Sequence, residues 1–405
     1  MNNLLVAFDI GSYKISAVVA KVDSLKQMQV IAVTSVKNYG IGKSVIINME
    51  QTTEVIKKLK AKLESLVDQP INETYINIDS ALCKIVDSSA TVETISGKVV
   101  TEADVNEAIA IAKDSVVPNS EEVIWVYPLE YIVDNHAGIK NPLGQRAKEL
   151  SLNAKLFTAS KANIESLVQC VEAAGIEVKA IIPQSLALEK LVVNDVNKDK
   201  SLGIIDIGAE TTDLSIYENG SIIYTSHIPL GGNNITKDIL TCLSISFEEA
   251  ENIKLNQKQL KVEKEKETKN DEEVNIYDKY NGNMIDEIIE ARADELLSFA
   301  LEEIHNQKSL KSLDNLFITG GGILHYKDNI RKFEEGIDKS ITPIENNIME
   351  KNNYIYSIPV GMLKLVLETI NTNRKQNSNS STDESKKKRK KGIMSKIKHF
   401  IQDFR

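Results

Sequence analysis

One sequence pattern occurs twice in this chain, and the repeat limits the possible folds more than any other feature. Each copy has an apolar run, then Asp-Ile-Gly, then hydroxyl residues and an alternating strand. The copies are "LLVAFDIGSYKISAVVAK" at 4–21 and "LGIIDIGAETTDLSIYENGSI" at 202–222. Two such matches in the same context predict a duplicated fold.

The segments around the repeat alternate between strand and helix patterns. "VIAVTSVKNYGI" predicts a strand, and "MEQTTEVIKKLKAKLESLVDQ" has the apolar spacing of an amphipathic helix. We expect Gly175 to end a second helix and Asn219-Gly220 to form a hairpin turn. This alternation favours an α/β architecture.

Charge divides the chain into an acidic body and a basic end. The 405 residues carry a net charge of −9, yet the ending "KKKRKKGIMSKIKHFIQDFR" is strongly basic. An acidic body argues against broad nucleic-acid binding, because it would repel phosphates. The three cysteines lie far apart, the start "MNNLLVAFDIG" lacks the basic and long apolar regions of a signal peptide, and no stretch predicts a membrane span. We therefore expect a cytoplasmic body.

Three short elements predict a nucleotide site. In "FDIGSYK", Asp9 can order Mg²⁺ through water, while Gly11 and Ser12 can approach phosphate oxygens. "IDIGAETTD" offers the same chemistry through Asp206 and the residues that follow it. In "LFITGGGILH", we expect the three glycines to follow a buried strand and precede a helix, leaving a surface free for a base or ribose.

In this order, the elements resemble the two phosphate loops and the adenosine loop of the actin-like ATPase superfamily. Within it, the chain most resembles the bacterial cell-division proteins of the FtsA family, over nearly its whole length. The diagnostic stretches are "VTEADVNEAIAIAKDSVVPNSEEVIWVYPLEYIVDNHAGIKNPLG" at 100–144 and "IPLGGNNITKDILTCLSISFEEAENIKL" at 228–255. The resemblance implies two duplicated α/β domains around a nucleotide cleft, with an FtsA-type 1C insertion.

The same resemblance implies subdomain boundaries. Subdomain 1A would comprise 1–80 and 158–200, 1C would be 81–157, 2A would comprise 201–231 and 313–370, and 2B would be 232–312. A flexible polar to basic linker would follow at 371–390, with an amphipathic membrane-targeting helix at 391–405. Within 2B, residues 255–283 are rich in Lys, Glu, Asp and Asn, which predicts a solvated loop or helix-loop excursion.

The resemblance also implies the ligands, ATP and Mg²⁺, and their residues. Asp9 and Asp206 would hold Mg²⁺ through water. On sequence alone, Glu251 and Lys254 are typical of an exposed ion pair of little energetic value, but the resemblance places them at the ribose. The cofactor-binding set is Asp9, Gly11, Ser12, Tyr13, Lys14, Asp206, Gly208, Thr211, Thr212, Gly231, Gly232, Glu251, Lys254, Gly320, Gly321 and Gly322.

Two departures from the family pattern bear on mechanism. Ala209 and Glu210 stand where a second glycine is usual, and we expect Glu210 to face solvent so that it does not repel phosphate. Gln184 follows Pro183 where the superfamily places a Glu or Gln that orients the attacking water, so Gln184 is the candidate catalytic residue. The sequence therefore supports ATP binding more strongly than ATP hydrolysis.

The basic end predicts a reversible membrane anchor. On a helix its bulky residues form one stripe, behind the basic run Lys386–Lys391. Nucleic-acid binding, nuclear import and packing on the protein's own body are the alternatives, but the stripe and the preceding polar linker favour anionic membrane lipids. The stripe residues are Ile393, Met394, Ile397, Phe400, Ile401 and Phe404.

By resemblance, the partners are the C-terminal peptide of the tubulin-like protein FtsZ on subdomain 2B, further copies of this chain in filaments, and other division proteins. The expected location is the cytoplasmic side of the bacterial membrane at the division site. Two alternatives remain: an actin-like adaptor of the pilus-assembly or rod-shape type, and a metabolic kinase of the same superfamily.

Overall fold

The computed structural model describes residues 4–23, 25, 27–94, 99–114, 117–265, 280–308, 310–344 and 353–377. Two compact units make up the chain. The first comprises residues 1–193 and 346–405, and the second comprises residues 194–345.

The first unit contains a mixed five-stranded sheet with the order β11-β6-β1-β2-β3. The first three strands along the chain pair antiparallel, and the other two add in parallel on the β1 side. A short hairpin follows the third strand. The strands are β1 (Leu4–Ile10), β2 (Lys14–Val22), β3 (Met28–Lys37), the hairpin strands β4 (Ile41–Gly42) and β5 (Val45–Ile46), β6 (Glu73–Ile78) and β11 (Glu177–Pro183).

Four helices pack with this sheet. The predicted amphipathic helix is α1 (Met49–Val67); Asn48 caps it, and Val55, Ile56, Leu59 and Leu63 are buried along one face, whereas Leu66 is exposed. The second predicted helix is α3 (Lys161–Ala173), which ends before Gly175 at a φ of 75°, as expected. The others are α4 (Gln184–Val192) and α9 (Ser357–Asn377).

Between β6 and α3 the chain forms a separate antiparallel sheet with the order β7-β10-β8-β9. One helix, α2 (Glu102–Asp114), packs on it through Ala108 and Ala112. The strands are β7 (Cys83–Glu93), β8 (Glu121–Val133), β9 (His136–Ile139) and β10 (Glu149–Ser160).

The second unit repeats the first sheet. Its order β14-β13-β12-β15-β16 places an antiparallel meander beside two parallel strands, as in the first unit. The predicted turn is present, with Asn219 and Gly220 at φ of 50° and 67°. The strands are β12 (Ser201–Ile207), β13 (Thr212–Glu218), β14 (Ser221–Ile228), β15 (Asn315–Thr319) and β16 (Ile341–Pro343); the helices are α5 (Gly232–Leu243), α6 (Phe247–Glu265), α7 (Gly282–Gln307) and α8 (Lys327–Ile337).

The duplication extends to the register of the strands. Asp9 lies opposite Ser16 in the first unit, and Asp206 lies opposite Asp213 in the second. The turn after each Asp-Ile-Gly closes in the same way: Gly11 N–H donates to the carbonyl of Lys14 at 3.1 Å, and Gly208 N–H donates to that of Thr211 at 2.9 Å. The predicted duplicated α/β fold is confirmed.

Two segments differ from the sequence-based expectation, and the ends of a third agree with it. Residues 371–377 continue α9 instead of starting a linker, since Arg and Lys are compatible with a helix. Helix α6 extends to Glu265 and α7 begins at Gly282, so both ends of 255–283 are helical, which agrees with the predicted helix-loop excursion. Turns follow Gly320, with Leu324 N–H bonded to its carbonyl, and α8 begins only at Lys327.

The membrane-anchor prediction falls on residues 391–405, which lie outside the described residues, as do 378–390 of the predicted linker. Within the described ranges, no helix has the length and apolar character needed to cross a membrane.

Candidate functional site

The predicted site residues of the first unit lie at the carboxyl edge of its parallel strands. Phe8 pairs with Ile76, and Pro183 pairs with Ile78, so β1, β6 and β11 end at the same edge of the sheet. Asp9 and Gln184 both lie at this edge, where α/β sheets usually bind ligands. The fold therefore brings together two elements that are far apart in sequence.

Asp9 is buried and held on both sides. Asn77 Nδ2 donates to its Oδ1 at 2.9 Å, and Ser16 Oγ donates to its Oδ2 at 3.1 Å. Burial raises the pKa of Asp9 to about 6, although the positive charge of Lys14 acts in the opposite direction. A cation beside this carboxyl group would favour its ionised form.

The turn formed by Gly11, Ser12 and Tyr13 is half-buried, and a second asparagine supports it. Asn38 Nδ2 donates to the carbonyl of Gly11 at 2.9 Å, and Asn38 N–H donates to that of Tyr13 at 2.8 Å. Sequence reasoning missed both Asn38 and Asn77. Neither asparagine belongs to a recognisable motif. Their importance follows from their burial beside the turn and Asp9, which depends on the order of the strands in the sheet.

Gln184 is the first residue of α4 and is buried. It directly follows Pro183, whose fixed backbone ends β11 and starts the helix. Its position at the edge that carries Asp9 is compatible with the role of orienting a water, but the position alone does not assign that role.

In the second unit, Asp206 lies between β13 and β15, opposite Thr319 on the parallel strand. Both side chains are buried. Thr319 Oγ1 has no hydrogen-bond partner among the described residues. A buried hydroxyl without a partner is costly in an empty protein, which makes this edge a place for a polar ligand or a water.

The glycines predicted for the second unit come together around the turn after Asp206. Gly322 N–H donates to the carbonyl of Ile207 at 2.8 Å, and Gly232 N–H donates to that of Gly208 at 2.9 Å. A Cβ at Gly322 would lie 2.4 Å from the Gly208 carbonyl oxygen, and one at Gly231 would lie 2.7 Å from it. Glycine at these positions allows backbone segments to pack directly on each other. The sequence pattern indicates contact of these glycines with the nucleotide but does not predict this packing.

Two hydroxyl side chains extend this cluster. Thr212 Oγ1 donates to the carbonyl of Leu230 at 2.9 Å, and Thr211 Oγ1 donates to Asp213 at 3.4 Å. Both threonines are buried. Gly321, which lies between Gly320 and Gly322 in sequence, is half-buried. Glu210, which we expect to face solvent, is half-buried. Its turn packs against α5, where Asn233 N–H donates to the Ala209 carbonyl.

Glu251 and Lys254 have the sequence spacing of an exposed ion pair, but the structure buries both side chains. Their side chains are 8% and 6% exposed, with Lys254 Nζ 2.6 Å from Glu251 Oε2. Lys254 Nζ also donates to Thr236 Oγ1 at 2.7 Å and to the Gly232 carbonyl at 3.2 Å. The pair therefore ties α6 to the start of α5, next to the glycine cluster. Burial lowers the pKa of Lys254, partly offset by Glu251.

Two family models and several known proteins match this chain. The family model described as "Cell division protein FtsA" matches residues 203–384, and the one described as "SHS2 domain inserted in FTSA" matches residues 82–158. The cell division protein FtsA of Bacillus subtilis is 31% identical over 329 residues, which cover 79% of this chain and 74% of that protein. This chain belongs to the FtsA family.

Other FtsA proteins are similar in sequence to this chain over comparable lengths. FtsA of Buchnera aphidicola (subspecies Acyrthosiphon pisum) is 28% identical over 394 residues, covering 93% of this chain and 94% of that protein. Family membership makes this chain a cell-division protein. The antiparallel sheet of β7–β10 falls within the match to the inserted SHS2 domain, which confirms the predicted FtsA-type insertion.

Solved structures support the fold. A PilM–PilN type IV pilus biogenesis complex contains a chain that aligns with a TM-score of 0.61 at 13% identity, covering 90% of this chain and 98% of that one. The ethanolamine utilization protein EutJ from Carboxydothermus hydrogenoformans aligns with a TM-score of 0.53 at 15% identity, covering 88% of each chain. At these identities the likeness concerns fold alone, and it confirms the predicted actin-like fold.

Proposed function

We propose that this protein binds ATP with Mg²⁺ and attaches filaments of the tubulin-like protein FtsZ to the cytoplasmic face of the membrane during cell division. The observation that carries the nucleotide part is the pair of Asp-Ile-Gly turns, which share one register in the two units. Family membership supports the cell-division part.

The donor set suits a polyphosphate and a divalent cation. Asp9 is a buried carboxyl group whose pKa is raised by burial, and Thr319 offers a buried oxygen that has no hydrogen-bond partner within the part of the chain that the structure describes. Asp9 and Asp206 would hold Mg²⁺ through water. Bound there, the ion would neutralise phosphate charge. The MreB5 protein of Spiroplasma citri, with a TM-score of 0.50 at 13% identity, has been solved bound to AMPPNP, and this supports a nucleotide of the same kind here.

Different residues would contact different parts of the nucleotide. Gly11, Ser12, Tyr13 and Lys14 would contact phosphates from the first unit. Glu251 and Lys254 would contact the ribose, and their burial beside Gly232 supports a fixed geometry. The remaining second-unit contacts would come from Gly208, Thr211, Thr212, Gly231, Gly232, Gly320, Gly321 and Gly322.

The membrane part rests on the sequence of the C-terminal end. The basic run Lys386–Lys391 and the apolar stripe that follows it have the chemistry of an interfacial anchor. Each basic residue near an anionic surface contributes about 1 kcal/mol. The protein would form filaments with itself, so that many weak anchors act together, and subdomain 2B would bind the C-terminal peptide of FtsZ.

Flotation with anionic liposomes, ATP and FtsZ filaments tests this proposal. We expect the full chain to float and carry FtsZ with it, and a chain ending at Ser385 to stay at the bottom. In parallel, Asp206→Ala should weaken ATP binding about tenfold or more in a fluorescence titration. Equal flotation of both chains would show that the C-terminal end is not the anchor. Unchanged ATP affinity of Asp206→Ala would show that Asp206 does not contribute to the nucleotide site.

The alternative of a pilus-type adaptor keeps one supporting observation, the likeness to a chain of the PilM–PilN complex. The family match favours the cell-division function over it. If the full chain floats but leaves FtsZ behind, the anchor survives and the adaptor alternative takes precedence.

A further inference from the structure

We propose that residues 38–48, here called the 38–48 hairpin, position the Ser12 hydroxyl for a phosphate oxygen of the nucleotide. Asn38 and Ser44 are the positioning residues, and neither belongs to the Asp-Ile-Gly pattern. This inference rests on the proposed nucleotide function. It assigns a role to a segment that lies between β3 and α1 and contains the short strands β4 and β5.

The base of the 38–48 hairpin is tied to the turn after Asp9. Asn38, which is buried, bonds to Gly11 and Tyr13 on both sides of Ser12, as described above. Its own Oδ1 accepts from Gly40 N–H at 3.2 Å. The Gly40 carbonyl in turn accepts from the N–H groups of Ile47 and Asn48 at 2.9 and 3.0 Å, which closes the hairpin.

Close packing holds this base in place. A Cβ at Gly40 would lie 2.2 Å from Thr52 Oγ1 and 2.8 Å from the Asn48 carbonyl oxygen. Asn48 also caps α1 by accepting from Gln51 N–H. The base of the hairpin is thus fixed between the turn after Asp9 and the first turn of α1, where Thr52 is buried.

The tip of the hairpin reaches Ser12 directly. Ser44 N–H donates to Ser12 Oγ at 3.2 Å, while Ser44 Oγ donates to Asp79 Oδ2 at 2.7 Å. Asp79 is fixed as well, because its Oδ1 accepts from Ala81 N–H at 2.8 Å. The hairpin tip therefore bridges Ser12 and the residue that follows β6.

The tip has a backbone conformation that needs support. Lys43 and Ser44 have φ of 46° and 66°, so two consecutive residues other than glycine lie in the left-handed region. Such positions persist where surrounding bonds hold them, and they cluster at functional sites. The Ser44–Asp79 bond is such a support.

The chemical consequence concerns the direction of one hydroxyl group. A serine hydroxyl has one hydrogen to donate and two lone pairs that accept. Because Ser12 Oγ accepts from Ser44 N–H, the position of its oxygen and the arrangement of its remaining lone pair and hydrogen are restricted. The hydroxyl hydrogen can then donate to a phosphate oxygen with little ordering cost on binding.

A double-mutant cycle with a fluorescent ATP analogue tests the proposal on the full chain. We expect Ser12→Ala to weaken binding about tenfold and Ser44→Ala about three- to tenfold. Because Ser44 acts through Ser12, adding Ser44→Ala to Ser12→Ala should change affinity less than twofold. Ser44→Asn should restore much of the affinity, since Asn tolerates the left-handed region and can donate to Asp79.

Ser151→Ala is the matched control, because Ser151 bonds to Thr91 on the antiparallel sheet and should not affect binding. Wild-type affinity in Ser44→Ala, or full multiplication of the two losses, would overturn the positioning role. Absence of ATP binding by the wild type would overturn the proposed nucleotide function and this inference together.

Hydrogen exchange on the wild-type protein gives a test without any substitution. We expect ATP to slow exchange of the Ser44 amide, because binding at Ser12 would stabilise its hydrogen bond to the hairpin tip. ATP binding without added protection at this amide would overturn the positioning role while leaving the nucleotide function intact.

Discussion

The side-chain amide of Asn77 fixes Asp9: its Nδ2 donates to Asp9 Oδ1 at 2.9 Å, while its Oδ1 accepts from Ile10 N–H at 2.7 Å. Asn77 is therefore oriented by the backbone of the strand that carries Asp9. The two residues are 68 positions apart, on parallel strands. This pair defines the direction of the carboxyl group proposed to order Mg²⁺.

Asn77→Ala should weaken ATP binding with Mg²⁺ about tenfold and destabilise the first unit by about 1–3 kcal/mol, because Asp9 and Ile10 lose partners in a buried place. Fluorescence titration and urea unfolding measure the two effects. Asn153→Ala is the matched control: Asn153 Nδ2 also donates to a carboxylate, Glu130 Oε1, at 2.9 Å, but Glu130 lies on the antiparallel sheet. Equal ATP affinity in both variants would contradict a role for Asn77.

Lys254→Met should destabilise the second unit by about 3–5 kcal/mol, since Glu251 would remain buried without its cation. Urea unfolding measures the loss, and adding Glu251→Gln should recover part of it. Lys57→Met is the control, because Lys57 pairs with Glu54 at the same spacing while both side chains are about half exposed. Its effect should stay within about 1 kcal/mol. Similar losses from both variants would contradict the importance of burial.

Glu189→Gln should stabilise the first unit at pH 8 by about 2–3 kcal/mol. Burial raises the pKa of Glu189 to about 7 from its usual 4.5, and Glu368 on α9 adds to this, although Lys190 opposes it. Glu189 therefore keeps its proton to a higher pH in the folded state than in the unfolded chain. Wild-type stability should fall as pH rises from about 4.5 to 7, so the advantage of the variant should disappear below pH 4.5.

Denaturant unfolding at several pH values measures this dependence. Glu165→Gln, on the exposed side of α3, serves as control and should change stability by less than about 0.5 kcal/mol at every pH. A constant difference between Glu189→Gln and wild type from pH 4 to 8 would show that Glu189 does not titrate in this range.

Gln184→Ala should slow ATP hydrolysis about a hundredfold without changing ATP affinity, if Gln184 orients the attacking water. Phosphate release and equilibrium titration separate the two quantities. The exposed Gln145 provides the control, since Gln145→Ala removes the same functional group from the loop between β9 and β10. Equal turnover by Gln184→Ala and wild type would remove Gln184 from the reaction.

Phe400→Glu should release the protein from anionic liposomes, because it places a charge in the apolar stripe of the C-terminal end. Cosedimentation with liposomes measures the bound fraction. Gln402→Glu adds the same charge on the opposite face of the predicted helix and should keep most of the binding. Loss of binding in both variants to the same extent would favour a purely electrostatic attachment through the basic run.

The repeated pattern alone was enough to predict the duplicated α/β fold. Alternation along a strand and the turn after Asp-Ile-Gly are local properties, so both copies could be located before any tertiary contact was known. The hairpin turn at Asn219-Gly220 and the helix end at Gly175 have the same origin, since a positive φ favours these residue types wherever the chain needs one.

Tertiary packing decided the surroundings of the site. Glu251 and Lys254 have the spacing of an exposed pair, and only the contact between α5 and α6 buries them. Gly320 and Gly322 also allow the backbone to pack against Ile207 and Gly208, which no local pattern predicts. The long-range partners Asn77 and Asn38 have no local pattern at all.

By itself, the sequence determined which residue types follow each strand, and therefore the fold class, the repeat and the basic end with its apolar stripe. Only the tertiary structure decided which polar groups are buried, and which of them hold Asp9 and Ser12. The reason is physical: hydrophobic periodicity depends on neighbours within a few residues, whereas a hydrogen bond between Asn77 and Asp9 or between Ser44 and Ser12 requires strands and loops distant in sequence to meet.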